Sequence, residues 1–425
     1  DWSPYLLVML KEGMIVSDRL GDSGVYFGDE ELAAIFSGAG NECLNKDRPT
    51  LMTTFQHSLS PSVKFDETNN DGSPRFHLFL SSSCPLASSV CAARTLLGLE
   101  NAISMDISDG QSGAGWVFLN GANCAPWKDR GEGPFWLHEV YQLADPLCTT
   151  QIQVPVLWDT VSQQIVSNDA WEIMKLMSDD ASKTDLCAWN DVLGAIGKEG
   201  LFPEEMIEDI ERMHTNIQRN LINPTTNAGM EYLRNGHEET PQVLDSRKRA
   251  FASLEGLEGL LGQKRFLLGD NVTGADICLS LFLFSLDACY CDAFGLRNAH
   301  GSKGSVLTED GYSNLKAYSR EMYRLLKSTL NFASFRHGFR MAQAIGYTRQ
   351  LYSCNALSDE ISTSIVDKQI PDLNEIVASL EKPAGDRPSG PVKQSIPRPE
   401  MNMCEGVPMP PSLDKMLGSY TATWT

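Results

Sequence analysis

Two kinds of hydrophobic spacing divide this chain, and the order in which they occur restricts what it can fold into. From Pro74 to about Asp179, strand-like and helix-like stretches alternate: a strand over Arg75–Ser82, a helix over Pro85–Leu97, a strand over Ala102–Ile107 and a helix over Phe135–Ala144. Two closely spaced strands, "QVPVLWDT" and "QQIVSN", and a helix from Asp169 follow. That order, βαβ and then a hairpin and helix, builds a small mixed sheet. From about Pro203 to Ala344 the spacing is almost wholly helical. "DSRKRAFASLEGLEGLLG" puts Phe251, Leu254, Leu257 and Leu261 on one face, and Gly262 ends it. In "NVTGADICLSLFLF", Thr273 and Asp276 stand at capping-box spacing, and the apolar continuation suits a helix at the centre of a bundle.

The flanks differ from this body. Residues 1 to 73 mix apolar and charged stretches and end in the turn-rich "ETNNDGSP". Beyond Ile345 the pattern changes again, with eight prolines between Pro383 and Pro411. Such a tail is expected to run extended along the body or a partner, held at anchors such as Ile370, Leu373, Ile376, Leu380 and Met416. A short helix is expected near Pro371 to Leu380. The resulting division is an N-terminal extension (1–73), a mixed α/β domain (74–179), an all-helical domain (180–344) and a proline-rich tail (345–425).

Charge and cysteine content narrow the function. A net charge of −20 argues against a nucleic-acid binder, which needs clustered lysine and arginine. The longest apolar run, Cys278 to Tyr290, is too short to span a membrane, contains Asp287, and reads as a buried helix. The eleven cysteines include no CxxC pair and no repeated cysteine–histidine ligand set, so no metal is expected and a reducing interior is the expected compartment. A chain opening on Asp1 fits a removed leader, which would admit a plastid or mitochondrion beside the cytoplasm.

Two short stretches carry chemistry. "SSSCPLASSV" sets Cys84 and Pro85 where a strand hands over to a helix. Proline suits the first helical position, and a cysteine there faces unpaired N–H groups that favour its thiolate. The alternative is a small buried side chain, as most free cysteines are. The second stretch is "VPVLWD", with proline at the head of a strand that otherwise looks buried. A cis Val154–Pro155 bond would free the valine backbone for a peptide-like ligand, and an edge-strand proline is the equal alternative. Cys91, two helical turns after Cys84, reads as core, as do Trp127, Trp136 and Trp158. His77, His138, His214, His237, His300 and His337 form no ligand spacing.

Taken in order, these segments resemble the xi class of the glutathione transferase superfamily, the glutathionyl-hydroquinone reductases. The residues that carry the resemblance are "FHLFLSSSCPLASSVCAARTLLGLENAISM", "GWVF", "LHEVYQLADP", "VPVLWDTVSQQIVSNDAWEIMKLM", "LEGLLGQKRFLLGDNVTGADICL" and "YSNLKAYSREMYR", spanning roughly residues 74 to 344. The resemblance implies a thioredoxin-like domain joined to an all-helical domain, commonly as a dimer, with glutathione as ligand and co-substrate. It implies that Cys84 attacks the sulfur of a glutathionyl-quinol or similar aromatic, and that Trp116, Val154, Asp169 and Ala170 hold glutathione.

The motif departs from the family at that same site. The family's CPWAHR-type run is "CPLASS" here, with Leu86 for tryptophan and Ser88 and Ser89 for histidine and arginine. The Glu-Ser pair that takes the γ-glutamyl end is Asp169-Ala170. The two pocket tyrosines fall at Thr226 and at about Phe339. If Cys84 is the nucleophile, it is expected to be accessible, with a thiol below the ordinary cysteine value by less than in an intact motif. The alternative to an enzyme is a degenerate transferase fold serving as a structural subunit, held in an assembly by its tail.

Overall fold

The computed structural model describes residues 8–11 and 14–17. It also describes the body from 64 to 335, apart from 113–114, 129, 131–133, 149, 184–193, 198, 236, 292–293, 297–304, 308–310, 331 and 333–334, and the segment 373–388 apart from 386. Phe339 and the anchors Ile370 and Met416 lie outside these residues.

A four-stranded sheet organises the first part. Its order is β10 (Gln164–Ser167), β9 (Val156–Asp159), β3 (Phe76–Leu80) and β4 (Ile103–Ile107). β3 runs parallel to β4, with Phe76 opposite Ile103, and antiparallel to β9, with Val156 opposite Phe79. The parallel pair needs a crossover, and α1 (Pro85–Leu96) supplies it. Every residue of β3 is buried, as expected of a central strand covered on both faces. On one face Phe76 meets Phe65, 4.9 Å between ring centroids, and the Phe65 amide donates to Asp180 of α3 (Ala170–Lys183).

On the other face Phe79 packs against Phe118, Trp127 and Phe135 at 5.5–5.9 Å. Two of these rings come from a small sheet inserted after β4, formed by β5 (Gly110–Ser112), β6 (Gly115–Phe118) and β7 (Phe135–Trp136). The sequence analysis placed Phe135 and Trp136 in a helix. They pair instead with Phe118 and Val117 of β6, and helix α2 starts only at His138, running to Ala144. Aromatic residues suit a pleated, half-buried surface, and here the pairing outweighs the helical spacing. His77, on this same face, is wholly buried, with Nδ1 at 2.8 Å from Ser104 Oγ and Nε2 facing Asp106 at 3.2 Å.

The N-terminal segment contributes a hairpin of β1 (Val8–Lys11) and β2 (Met14–Ser17), and β1 adds to β8 (Thr150–Gln151). The turn before β3 closes on Asn69, whose side-chain amide donates to Ser73, Pro74 and Thr160, with Gly72 at a positive φ of 80°.

The helical part begins with α4 (Ile207–Ile217), which continues through a π-helical turn (Gln218–Ile222) into α5 (Asn223–Arg234). α6 (Pro241–Leu261) starts at a Thr240 cap, and α7 (Gly274–Ser285) runs buried through the middle. Asp276 accepts from the Thr273 amide at 3.0 Å and the Thr273 hydroxyl at 2.9 Å, so the capping-box spacing read from sequence matches the structure. Tyr318 of α8 (Ser313–Leu326) donates to the Asp276 carbonyl oxygen at 3.0 Å.

The tail contributes α9 (Leu373–Glu381), close to the helix read from sequence. Ser379 donates to the Leu307 carbonyl at 2.6 Å, and Arg320 donates to the Ser379 carbonyl at 2.7 Å. Arg387 reaches back to the carbonyls of Leu261, Asn314 and Arg265 and to Glu321, which also pairs with Arg265.

Candidate functional site

β3 delivers the chain to Cys84 at the N-cap of α1. The Cys84 carbonyl accepts the Ser88 amide at 2.9 Å, the first bond of the helix, and Pro85 fills the position where an N–H would have no partner. The preceding turn is pinned by a 2.9 Å hydrogen bond between the Ser81 and Ser83 hydroxyls. Ser89, where the family has arginine, turns its hydroxyl onto the Leu86 carbonyl at 2.7 Å. The site therefore has no cation from this stretch.

Cys84 is only 8% exposed. Burial pushes its thiol above the ordinary cysteine value, and the backbone N–H groups of Ala87 and Leu86 offset only part of that. The expected accessible, lowered thiol is overturned. The helix start exerts its pull, but desolvation of a thiolate outweighs it.

The second landmark faces the first. The Val154–Pro155 peptide is cis, as the sequence reading entertained, and Val154 lies just ahead of the first β9 pair. Asp169 caps α3: its Oδ1 accepts the Glu172 amide at 2.9 Å and its own amide donates to Ser167 Oγ at 3.1 Å. Ala170 is the first helical residue. Trp116 on β6 is 3% exposed, and Leu86 at the rim is 41% exposed.

All of these border one cavity of about 280 Å³: Cys84, Leu86, Trp116, Val154, Asp169, Ala170 and, from the helical part, Thr226. Thr226 turns its hydroxyl back onto the carbonyls of Ile222 and Asn223, at 3.0 and 3.2 Å. Phe339 cannot be placed, since it lies outside the described residues.

Several residues in the cavity wall or behind it were given no role from sequence. Tyr141 of α2, wholly buried, donates to the Gln153 carbonyl at 2.9 Å and accepts from the Asn168 side chain at 3.2 Å. One hydroxyl thus ties the residue before Val154 to the residue before Asp169. Burial raises this phenol well above its usual value, so it stays a donor. Cys278, Phe282 and Tyr290 close the helical wall. The Cys278 thiol is pushed up to about 12 by burial, which leaves it no thiolate at neutral pH. His214 stacks on Trp171, and both border the cavity. The only sequence signal for Tyr141 is its place within "LHEVYQLADP". His214 offers none, because its partners come from a distant helix.

Among the described residues no group of three or more histidine, cysteine or acidic side chains is arranged to hold a metal ion. No helix among them is long and apolar enough to cross a membrane.

Comparison with known proteins places this geometry among relatives. Residues 231–321 match the model of the glutathione S-transferase C-terminal domain. The glutathionyl-hydroquinone reductase YqjG of Escherichia coli is 30% identical over 280 residues, covering 64% of this chain and 77% of the relative. The glutathionyl-hydroquinone reductase PcpF of Sphingobium chlorophenolicum is 33% identical over 217 residues, 51% of this chain. That match spans 64% of the PcpF chain, a little under two thirds. The glutathione-bound structure of YqjG superposes with a TM-score of 0.51 at 26% identity, over 70% of this chain and 87% of that one. The xi-class structure from Natrialba magadii shares the fold, with a TM-score of 0.57 at 22% identity over 85% of this chain and 97% of that one.

Proposed function

Because this chain belongs to the xi class of the glutathione transferase superfamily, we propose that it is a glutathione-dependent reductase that works through a mixed disulfide on Cys84. The observation that carries this reading is the single cavity that brings Cys84 together with Trp116, Val154, Asp169 and Ala170. Glutathione lies with its thiol toward Cys84, its backbone against Val154, and its γ-glutamyl end at the start of α3. There the Asp169 carboxylate takes the ammonium and helix amides face the carboxylate.

The substrate class is an aromatic thioether of glutathione, of the glutathionyl-hydroquinone kind named for the relatives. The Cys84 thiolate attacks the glutathione sulfur, forming an S–S bond and breaking the carbon–sulfur bond. The aromatic carbon leaves with the bonding pair and takes a proton. A second glutathione thiolate then attacks the glutathionyl sulfur of the mixed disulfide, releasing glutathione disulfide and the Cys84 thiolate. The aromatic carbon gains two electrons, and two sulfurs, the thioether's own and that of the second glutathione, give up one each, so the electrons balance while Cys84 is regenerated. Leu86 and Thr226 border the aromatic end, with Phe339 assigned beside them from the sequence match alone.

The two domains over 74–179 and 180–344, a homodimer and a reducing intracellular compartment belong to the same proposal. The structural-subunit alternative has weaker support, because the tail segment 373–388 docks on the chain's own helical body.

Intact mass after anaerobic incubation with glutathione disulfide tests the reading. One glutathione adduct on the wild type, absent from Cys84→Ser, is expected. An unmodified wild-type protein, or an adduct that persists in the variant, overturns it.

A further inference from the structure

At the start of α3 the cavity holds an arrangement that the proposed chemistry has not used. The His214 ring lies flat on the Trp171 indole, with centroids 3.7 Å apart and planes 6° apart. Trp171 is itself fixed. Its Nε1 donates to Glu211 at 3.0 Å, Lys175 donates to the other oxygen of Glu211 at 2.9 Å, and Phe202 meets its edge at 4.9 Å. The imidazole is therefore held in one orientation by a partner that cannot swing away.

Trp171 directly follows Ala170, and His214 feels the charge of Asp169, so the imidazole stands at the end of the cavity assigned above to the γ-glutamyl group. That group carries both an ammonium and a carboxylate. Asp169 suits the ammonium and repels the carboxylate, while Ala170 has no hydroxyl to donate. Gln218, one turn further along the same helix, brings its side-chain nitrogen within 3.4 Å of His214 Nε2. We propose that His214 binds the α-carboxylate of the γ-glutamyl group, supplying the side-chain donor that Ala170 lacks. This assignment rests on the reading that glutathione occupies this cavity.

The charged groups facing His214 are Glu211 on its own helix and Asp169 and Lys175 of α3. Burial holds the imidazole below its ordinary value, the two carboxylates pull it up, and Lys175 pushes it down. A carboxylate arriving beside a neutral ring raises its proton affinity, so glutathione binds with proton uptake and more tightly as the pH falls.

Calorimetric titration of the full chain with glutathione and with γ-aminobutyryl-cysteinyl-glycine tests this. The second peptide keeps the ammonium and lacks only the α-carboxylate. The wild type is expected to prefer glutathione by about tenfold, the worth of one charge-assisted hydrogen bond. His214→Phe keeps an aromatic ring on Trp171 and should reduce that preference below about threefold, with affinity for the analogue unchanged. It should also abolish proton uptake, measured as the dependence of binding heat on buffer. His214→Gln retains a donor, should restore part of the preference, and carries the test if the phenylalanine variant does not fold. Full preference for glutathione in His214→Phe, or in a misfolding case no loss of proton uptake in His214→Gln, overturns the assignment. Equal wild-type affinity for both peptides overturns it while leaving the glutathione reading standing. Binding of neither peptide overturns both.

Discussion

The Tyr141 hydroxyl donates to the Gln153 carbonyl across 2.9 Å and accepts from Asn168 at 3.2 Å, so one buried phenol braces both sides of the proposed glutathione cradle. Gln153 precedes Val154, and Asn168 precedes Asp169. Removing only that oxygen, as Tyr141→Phe, leaves a half-buried carbonyl and a half-buried side-chain amide without this partner. The expected cost is about 1–3 kcal/mol of stability, read by urea denaturation. Glutathione affinity should fall by roughly 3- to 10-fold in calorimetry, since only the Gln153 side chain on the Asn168 carbonyl then links the two strand ends. Unchanged affinity would separate the brace from binding.

Reactivity of Cys84 should follow its burial rather than its place at a helix start. Because the folded thiol lies above the ordinary cysteine value, the thiolate fraction keeps growing through the alkaline range. Aryl-glutathione cleavage should therefore rise with pH through the ordinary cysteine value without reaching a plateau below it. Leu86→Arg, which adds a cation at the rim, should move the rise to lower pH. A pH-independent rate between 6 and 8 would contradict the thiol direction stated here.

How far the sequence could be read depends on whether the relevant residues are neighbours along it. Cys84-Pro85 and Val154-Pro155 are contiguous pairs, each with its own backbone signature, so both were visible before any coordinates. Thr273 and Asp276 were visible for the same reason, three residues apart within one helical turn. The Tyr141–Gln153 and Trp171–His214 pairs join separate elements, and no local pattern announces them. The thiol direction failed for a related reason. A helix start can be counted from spacing, but the cavity wall around Cys84 is built from segments as far apart in sequence as Trp116, Val154 and Tyr290.

Asp276 allows a pH test of the helical core. Burial raises its carboxyl to about 6 against four hydrogen bonds that lower it, so the folded state holds its proton more tightly than the unfolded one. A raised carboxyl contributes stability that is full below the unfolded value and is lost as pH rises through about 6. Relative to Asp276→Asn, the wild type should gain roughly 2 kcal/mol between pH 7 and pH 4. Denaturant unfolding of both proteins across that range measures the difference. A constant difference would show that the hydrogen bonds cancel burial, and a loss on acidification that they outweigh it.

The docked tail gives a fourth expectation. Arg387 donates to three carbonyls and to Glu321, and its side chain is 1% exposed. Arg387→Ala should destabilise the fold by about 2–4 kcal/mol, less than a fully broken buried pair because Arg265 still holds Glu321. Differential scanning calorimetry reads this as a lower Tm.

The π-helical turn at Gln218–Ile222 sets the phase of the cavity's helical wall. In an unbroken α-helix, positions four apart drift by about 40° at each step, so His214, Gln218, Ile222 and Thr226 would spiral away from a common line. The wider turn between Gln218 and Ile222 winds back one of those steps, and all four border the same cavity. Winding the same residues as an unbroken α-helix would carry Thr226 about 120° round from His214. His214 would stay where it is while Thr226 swung out of the wall. The two ends of the binding site are thus kept in step by a single extra residue of chain, much as a vernier aligns two scales of different pitch.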